Sequence, residues 1–483
     1  VSLGDEGILL HGATRLLHGE VLYRDFFEVV PPGGFLIATT WMTIVGDDFG
    51  SVRLLAVGTL ALIAALTYAA GTLASGNRIL AVLLAAAWAV RAPVENNHHW
   101  FTTAASMAAV VCVLLALEEA PLRRATVFAA GLFAGLAVTV THTRGTLLCA
   151  CILAAWVTMA AARSRLSTLI AGMAVGPIAV LSYVIFTGAL GKAAEDLIWF
   201  ASQRYPRVQY VPFATFATWL DAVTVAVFPA AVLLTAATFA MKAHAAVWRD
   251  SRGRVALALA LVGLLGSLPR PDIVHLNFAA PLACPLVALG VTAVAGRLRE
   301  MVRITVTLLV IGLCVAGVGY ATKRRMDVMA GPLEVIATPR GAIVRRPDPW
   351  TTDFALLMWH LDRLPVRDPV FFYPYLPMLP YLTARPSVGP LDFMLPGYTT
   401  PEQFGEMCTR VVHGAQWLVL DRSWSDPRKL QRLFPTMTDY DPPEKRAFEG
   451  ALARTFDVMV HRSVTFELRR RGPGSPDALC PPS

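Results

Sequence analysis

Long uncharged apolar runs separated by short polar breaks dominate the chain. They occupy 54–77, 101–117, 125–141, 145–162, 166–191, 222–241, 276–296 and 304–322, many close to the roughly 20 residues that carry a helix across a bilayer. Weaker runs at 29–46, 79–90 and 255–269 bring the expected total to ten or eleven helices. Ahead of them, residues 6–20 place Leu9, Ala13, Leu16 and Leu17 on one helical face and His11, Arg15 and His18 on the other. That spacing predicts a helix lying in the membrane interface, with Tyr23, Phe26 and Phe27 as anchors behind it. After Arg325 the pattern turns into a proline-rich mixture. It predicts helices at 351–363, 401–411 and 443–455 and strands at 370–373, 417–420, 456–461 and 464–468. The fold class is therefore a polytopic α-helical membrane protein with a C-terminal extracytoplasmic α/β domain. We expect a first outer loop over 1–30, a multi-helix transmembrane domain over 31–322 and the α/β domain over 323–483.

Composition agrees: 55% of the 483 residues are hydrophobic and 16% charged, against roughly 25% charged in soluble domains. The net charge of +8 calls for no nucleic-acid partner, because much of the excess sits in short loops. Arg123-Arg124, Arg163 with Arg165, and the loops 242–254 and 297–303 follow the positive-inside pattern and mark cytoplasmic ends. Residues 95–100, 142–145, 192–212, 269–275 and everything after Lys323 then face outward. The first three apolar runs break this scheme. Residues 1–31 and 95–100 can share a side only if one of those runs does not cross, and the pattern does not single one out. The sequence starts at Val1, and a further membrane helix is expected ahead of it. Cys112, Cys149, Cys151, Cys284 and Cys314 lie in apolar runs as small core residues. Cys408 and Cys480, in the tail, are expected to stay apart rather than form a disulfide.

Chemistry is expected where charge stands at the ends of apolar runs. Asp5 and Glu6 head the amphipathic helix, as a general base with its partner or as a plain acidic N-cap. His142 with Arg144, and Arg270 with His275, interrupt the outer ends of later runs. Charges at that depth are costly and line polar cavities, unless they snorkel to headgroups. The two arginines suit a phosphate, with the histidines as extra donors. Asn96, Asn97, His98, His99 and Trp100 form an outward cluster suited to sugar or headgroup contacts, or to an interfacial belt. Adjacent histidines on a helix do not easily share one metal, so no metal site is expected there. Lys192, Arg204 and Arg207, with Tyr205 and Tyr210, offer a further grip on an anionic headgroup. No GxGxxG, GxxxxGK[ST] or HExxH pattern occurs, and no internal repeat suggests a transporter of duplicated halves.

Asp5-Glu6-Gly7, then Tyr23-Arg24-Asp25-Phe26 and Pro31-Pro32-Gly33, resembles the first outer loop of GT-C membrane glycosyltransferases. The likeness is to the family 39 branch, with the protein O-mannosyltransferases and the aminoarabinose transferases of lipid A. Arg53, the stretch 270–281, the stretch 373–382 and Pro396-Gly397-Tyr398-Thr399-Thr400 are similar landmarks, so the likeness spans most of the chain. It implies a sugar donor on a polyprenyl phosphate, Asp5 as catalytic base and Glu6 as its partner. It further implies an acceptor glycan, lipid or protein at the outer face of a bacterial inner membrane. Some relatives carry a phosphate-binding lysine before the proline pair, where this chain has Glu28-Val29-Val30. Donor phosphate binding is then expected at His142, Arg144, Arg270 and His275, and acceptor or sugar contact at Tyr23, Arg24, Asn97, His98 and His99. No cofactor is implied beyond the lipid-linked sugar, and a divalent cation is left open. The competing classes are a transporter or flippase of a lipid-linked saccharide and a non-catalytic membrane scaffold.

Overall fold

The structure is a computed structural model describing residues 3–118, 123–241, 250–473 and 480, so 242–249 of the expected basic loop lie outside it. Every apolar run becomes a helix. In chain order these are α2 (Gly33–Ile44), α3 (Phe49–Ser75), α4 (Arg78–Ala89), α5 (His98–Glu118), α6 (Arg124–Val140), α7 (His142–Val157) and α8 (Leu166–Phe186). The helices Ala222–Ala240, Ser251–Leu265, Ile273–Ala295 and Glu300–Ala330 follow. Ahead of them stands α1 (Asp5–Leu17). Among the described residues, five helices are long and apolar enough to cross a membrane. Local chemistry sets the breaks. Asp48 accepts from the Ser51 amide to open α3, and Asn77 from the Leu80 amide to open α4. Gly76 between them takes φ +71°, a left-handed conformation that glycine adopts without strain.

Two glycine pairs lock α6 to α8. A Cβ on Gly131 or Gly135 would stand 2.1 Å from the Leu169 carbonyl oxygen or 2.3 Å from that of Met173. One on Gly172 or Gly176 would stand 2.3 Å or 2.7 Å from the carbonyls of Phe128 and Gly135. The backbones approach so closely only because both helices carry a small-xxx-small face.

The parity problem of the first three runs is resolved by α2. Its twelve residues span about 18 Å, as do those of α4, so the positions of its ends decide. Both of its ends lie on the side that carries the C-terminal domain. Gly33 abuts Thr139 near the end of α6, and beyond Ile44 the Asp47 carbonyl accepts from the Tyr381 hydroxyl at 2.9 Å. From there α3 leads away and α4 returns, bringing Asn96 to Glu6. The basic breaks gather at the opposite end, where Arg252 pairs with Glu118 and Arg254 donates to the Thr158 carbonyl.

The expectation for α1 is corrected. Both of its faces are covered by protein: Glu6, Leu9, Leu10, His11, Ala13 and Arg15 are all buried, between α2 and the segment 375–389. Its polar face meets protein. Arg15 donates to Asp392 at 2.9 Å and to Glu20 at 2.7 Å, and His11 Nε2 lies 2.8 Å from Ser387 Oγ, which itself donates to Asp392. Gly7 permits the contact, since a Cβ there would come within 2.1 Å of the Met378 amide nitrogen.

Beyond Ala330, a hairpin of β1 (Glu334–Thr338) and β2 (Gly341–Arg345) grips the corner between α2 and α3. There the Arg340 side chain pairs with Asp47 and its carbonyl accepts from the Phe49 amide. A four-stranded sheet follows, of β3 (Val370–Tyr373), β4 (Trp417–Asp421), β5 (Val458–Arg462) and β6 (Phe466–Arg470) in the order β3-β4-β6-β5. β3 runs parallel to β4 and the other pairs are antiparallel. Helices Pro349–Asp362, Pro401–Gly414 and Pro443–Thr455 match the predicted segments. The hairpin was not foreseen, because only Ile336 and Ile343 turn inward from it. Cys408 and Cys480 are joined by a disulfide with a Cα–Cα distance of 5.6 Å, which corrects the expectation that they stay apart.

Burial, opposed in part by Asp392, lowers the His11 pKa from 6.5 to about 4. Between those values the unfolded chain binds a proton that the folded chain does not, so stability falls as pH falls through that window. His11→Gln is expected to flatten the acid side of a Tm-against-pH curve, and an unchanged slope would mean that another group titrates.

Candidate functional site

The start of α1 and the C-terminal domain meet at Asp5. Gly4 lies under the Tyr375 ring, and the Tyr375 hydroxyl donates to Asp5 Oδ1. Burial first, then the Asp5 carboxylate, holds the Tyr375 pKa well above that of a free phenol, so it remains a donor. The second Asp5 oxygen has no protein partner among the described residues. Asp5 opens on a cavity of about 300 Å³.

Its far wall is built on the helix Ile273–Ala295. Asp272 caps this helix by accepting from the His275 amide at 3.0 Å. The same carboxylate lies 2.8 Å from His275 Nδ1 and accepts from Arg270 Nε at 2.7 Å. Taken as a donor, Nδ1 leaves the other His275 nitrogen, Nε2, available on the cavity side. Arg270 Nη1 is spent on the Gln209 side chain at 2.8 Å and the Leu433 carbonyl at 2.9 Å, whereas Nη2 has no protein partner among the described residues. A single carboxylate thus aims a cation and an imidazole into one space. His98 and His99, opening α5, complete this side with ring centroids 4.1 Å apart, and His99 lies 5.2 Å from His275. Tyr205, Tyr398, Trp424 and Phe434 supply flat apolar walls.

Glu28 also lines the cavity, buried and with Oε1 unpartnered. Burial first, then the charges of Asp392 and Asp196, raises its pKa well above the ordinary value and favours the protonated acid.

Of the expected residues, the structure brings Asp5, His98, His99, Arg270 and His275 together. Glu6 is turned away. Its carboxylate takes two hydrogen bonds from Arg53 at 2.8 and 2.7 Å and one from the Asn96 amide at 2.8 Å, which ties α1 to α3 and α5. Tyr23 is buried with its hydroxyl on the Val30 carbonyl, Arg24 pairs with Asp25 on the surface, and Asn97 caps the His99 amide. None of these three lines the cavity. Arg144 is buried outside its wall on the Gly266 carbonyl, with Nη1 unpartnered, and His142 is likewise absent from the lining. Tyr375, Glu28, Gln209 and Trp424 were missed. Tyr375 reaches Asp5 across 370 positions of sequence, and no local pattern reports such a meeting. Among the described residues, no three histidine, cysteine or carboxylate groups are arranged to hold a metal ion.

ArnT from Cupriavidus metallidurans, solved with undecaprenyl phosphate bound, superposes with a TM-score of 0.53 at 13% identity, over 99% of this chain and 95% of that one. Its apo structure gives 0.53 at 13% identity, over 97% and 94%. The chain shares its fold with ArnT. The mycobacterial arabinofuranosyltransferase AftD aligns at a TM-score of 0.47 and 14% identity, over 97% of this chain and 38% of that one. No family model and no curated protein matches the sequence.

Removing one partner of a buried ion pair strands the other's charge. Glu6→Gln is therefore expected to destabilise the fold by roughly 3 kcal/mol, seen as a lower Tm in detergent. A variant as stable as the parent would mean that the Arg53 contact carries no load.

Proposed function

We propose that this protein is a glycosyltransferase that moves a sugar from a polyprenyl monophosphate onto an acceptor hydroxyl, with inversion at the anomeric carbon. The observation that carries the proposal is one cavity with an unpartnered Asp5 oxygen on one wall and an unpartnered Arg270 nitrogen on the other. Asp5 takes the acceptor proton as the acceptor oxygen attacks the anomeric carbon. The bond from that carbon to the phosphate oxygen breaks. The polyprenyl phosphate leaves with the bonding electrons, and Arg270 and His275 receive its charge. Phosphate is a competent leaving group, so no second carboxylic acid is required. His98, His99 and the rings of Tyr398 and Trp424 are placed to contact the sugar.

A neighbouring feature supports a lipid donor. An apolar groove of about 440 Å³ runs along the same helices, so that Phe35 and His98 face the cavity while Leu36 and Phe101 face the groove. The fold neighbour ArnT was solved with undecaprenyl phosphate. We place the site on the outer face of a bacterial inner membrane. The Cys408–Cys480 disulfide suits an oxidising compartment, and the basic breaks at the opposite end suit the cytoplasm.

The test uses purified protein with a panel of polyprenyl-phosphate hexoses and pentoses, plus membrane extract as acceptor source. Asp5→Asn is expected to cut turnover by roughly 10²- to 10⁴-fold while polyprenyl-phosphate binding is retained. Arg270→Gln is expected to weaken that binding by about tenfold. An Asp5→Asn enzyme with full turnover would eliminate the base, and donor binding without turnover in the parent protein would favour a flippase.

A further inference from the structure

A second polar pocket lies away from the Asp5 cavity and shares no lining residue with it, so it does not rest on the transfer reaction. It has a volume of about 410 Å³ and opens between the end of α4 and the last turns of the helix Glu300–Ala330. Three arginines, Arg91, Arg324 and Arg325, line it, and no carboxylate does. Arg91 donates Nη2 to Asp221 at 2.8 Å, but its Nε is buried without a partner. Arg325 donates to the Ala92 carbonyl at 2.9 Å, and among the described residues neither Arg324 nor Arg325 has an ion-pair partner. Lys323, by contrast, is already neutralised by Asp327. Two positive charges without an ion-pair partner, on successive residues of one helix, therefore line a small space walled otherwise by apolar side chains such as Val90 and Val328.

The position of the pocket selects among anions. The apolar stretch of the helix ends at residue 322, so the arginines stand where hydrocarbon gives way to headgroups. Tyr320 at the rim packs on Trp219 with ring centroids 5.4 Å apart, an aromatic pair of the kind that settles at that depth. Most of the apolar stretch of this helix is exposed, with Cys314 and Ala321 as buried exceptions. At this end Arg325 ties it to the Ala92 carbonyl just beyond α4.

We infer that this pocket binds the phosphate of an anionic membrane phospholipid, which bridges α4 and the helix Glu300–Ala330. Guanidinium groups hold phosphate oxygens by paired hydrogen bonds, and the apolar walls take the start of the acyl chains.

The experiment is native mass spectrometry of the full-length protein in detergent, with phosphatidylglycerol, with phosphatidylcholine of the same chains, or with inorganic phosphate. Phosphatidylglycerol should be retained at least about tenfold more tightly than phosphatidylcholine. The double variant Arg324→Gln, Arg325→Gln should lose that preference. Arg324→Gln alone removes an exposed, unpaired side chain, folds as the parent does and should lose about threefold or more. A preference that survives both variants overturns the site. So does inorganic phosphate that displaces the lipid, which would mark a pocket for free anions.

Discussion

The burial of α1 between the membrane helices and the C-terminal domain is the constraint on which the candidate site depends. Three charged or polar side chains on one helix are taken out of water: Glu6 is answered by Arg53 of α3, and His11 and Arg15 by Ser387 and Asp392 of the C-terminal domain. Such groups would be expensive if unpaired, so the register of α1 against both halves is fixed. Gly4 leaves room for the Tyr375 ring, and Gly7 lets the backbone of Pro377 and Met378 close on the helix. Asp5 is held beside Tyr375 as a result, and the cavity acquires a wall from each half of the molecule.

Opposite it, one carboxylate organises the cationic wall. Asp272 ends a loop, starts a helix and orients both Arg270 and His275. Although burial pushes its pKa up, the contacts with His275 and Arg270 hold it below the ordinary value, so it stays ionised and keeps its grip. Preorganisation of this kind leaves one guanidinium nitrogen and one imidazole nitrogen uncommitted, with little freedom to wander.

Much of this was legible in the sequence, for physical reasons that also explain the failures. Apolar runs announce helices because a bilayer tolerates little else. They do not announce which helix crosses: α2 is as apolar as its neighbours, and its placement is decided by distant contacts to Tyr381 and Arg340. Amphipathic spacing in α1 revealed two faces without saying what covers them, and the polar face met Asp392 instead of water. Asp5, Arg270 and His275 stood out as charge at the ends of apolar runs. Glu6 carried the same signal, but successive helical residues point about 100° apart, so both carboxylates could not enter one cavity. The glycine pairs 131/135 and 172/176 were written plainly in the sequence, hidden only by the uniform greasiness around them.

Those glycines have a mechanical corollary. With no clearance between their backbones, α6 and α8 behave as one stiff plank along the edge of the apolar groove. On the other edge stands α2, whose Leu36 and Ile37 are half-open and can swing. A hydrocarbon tail lodged there would therefore be fitted by rotamer changes on a single helix, and tails of differing girth could be tolerated without prising the bundle apart.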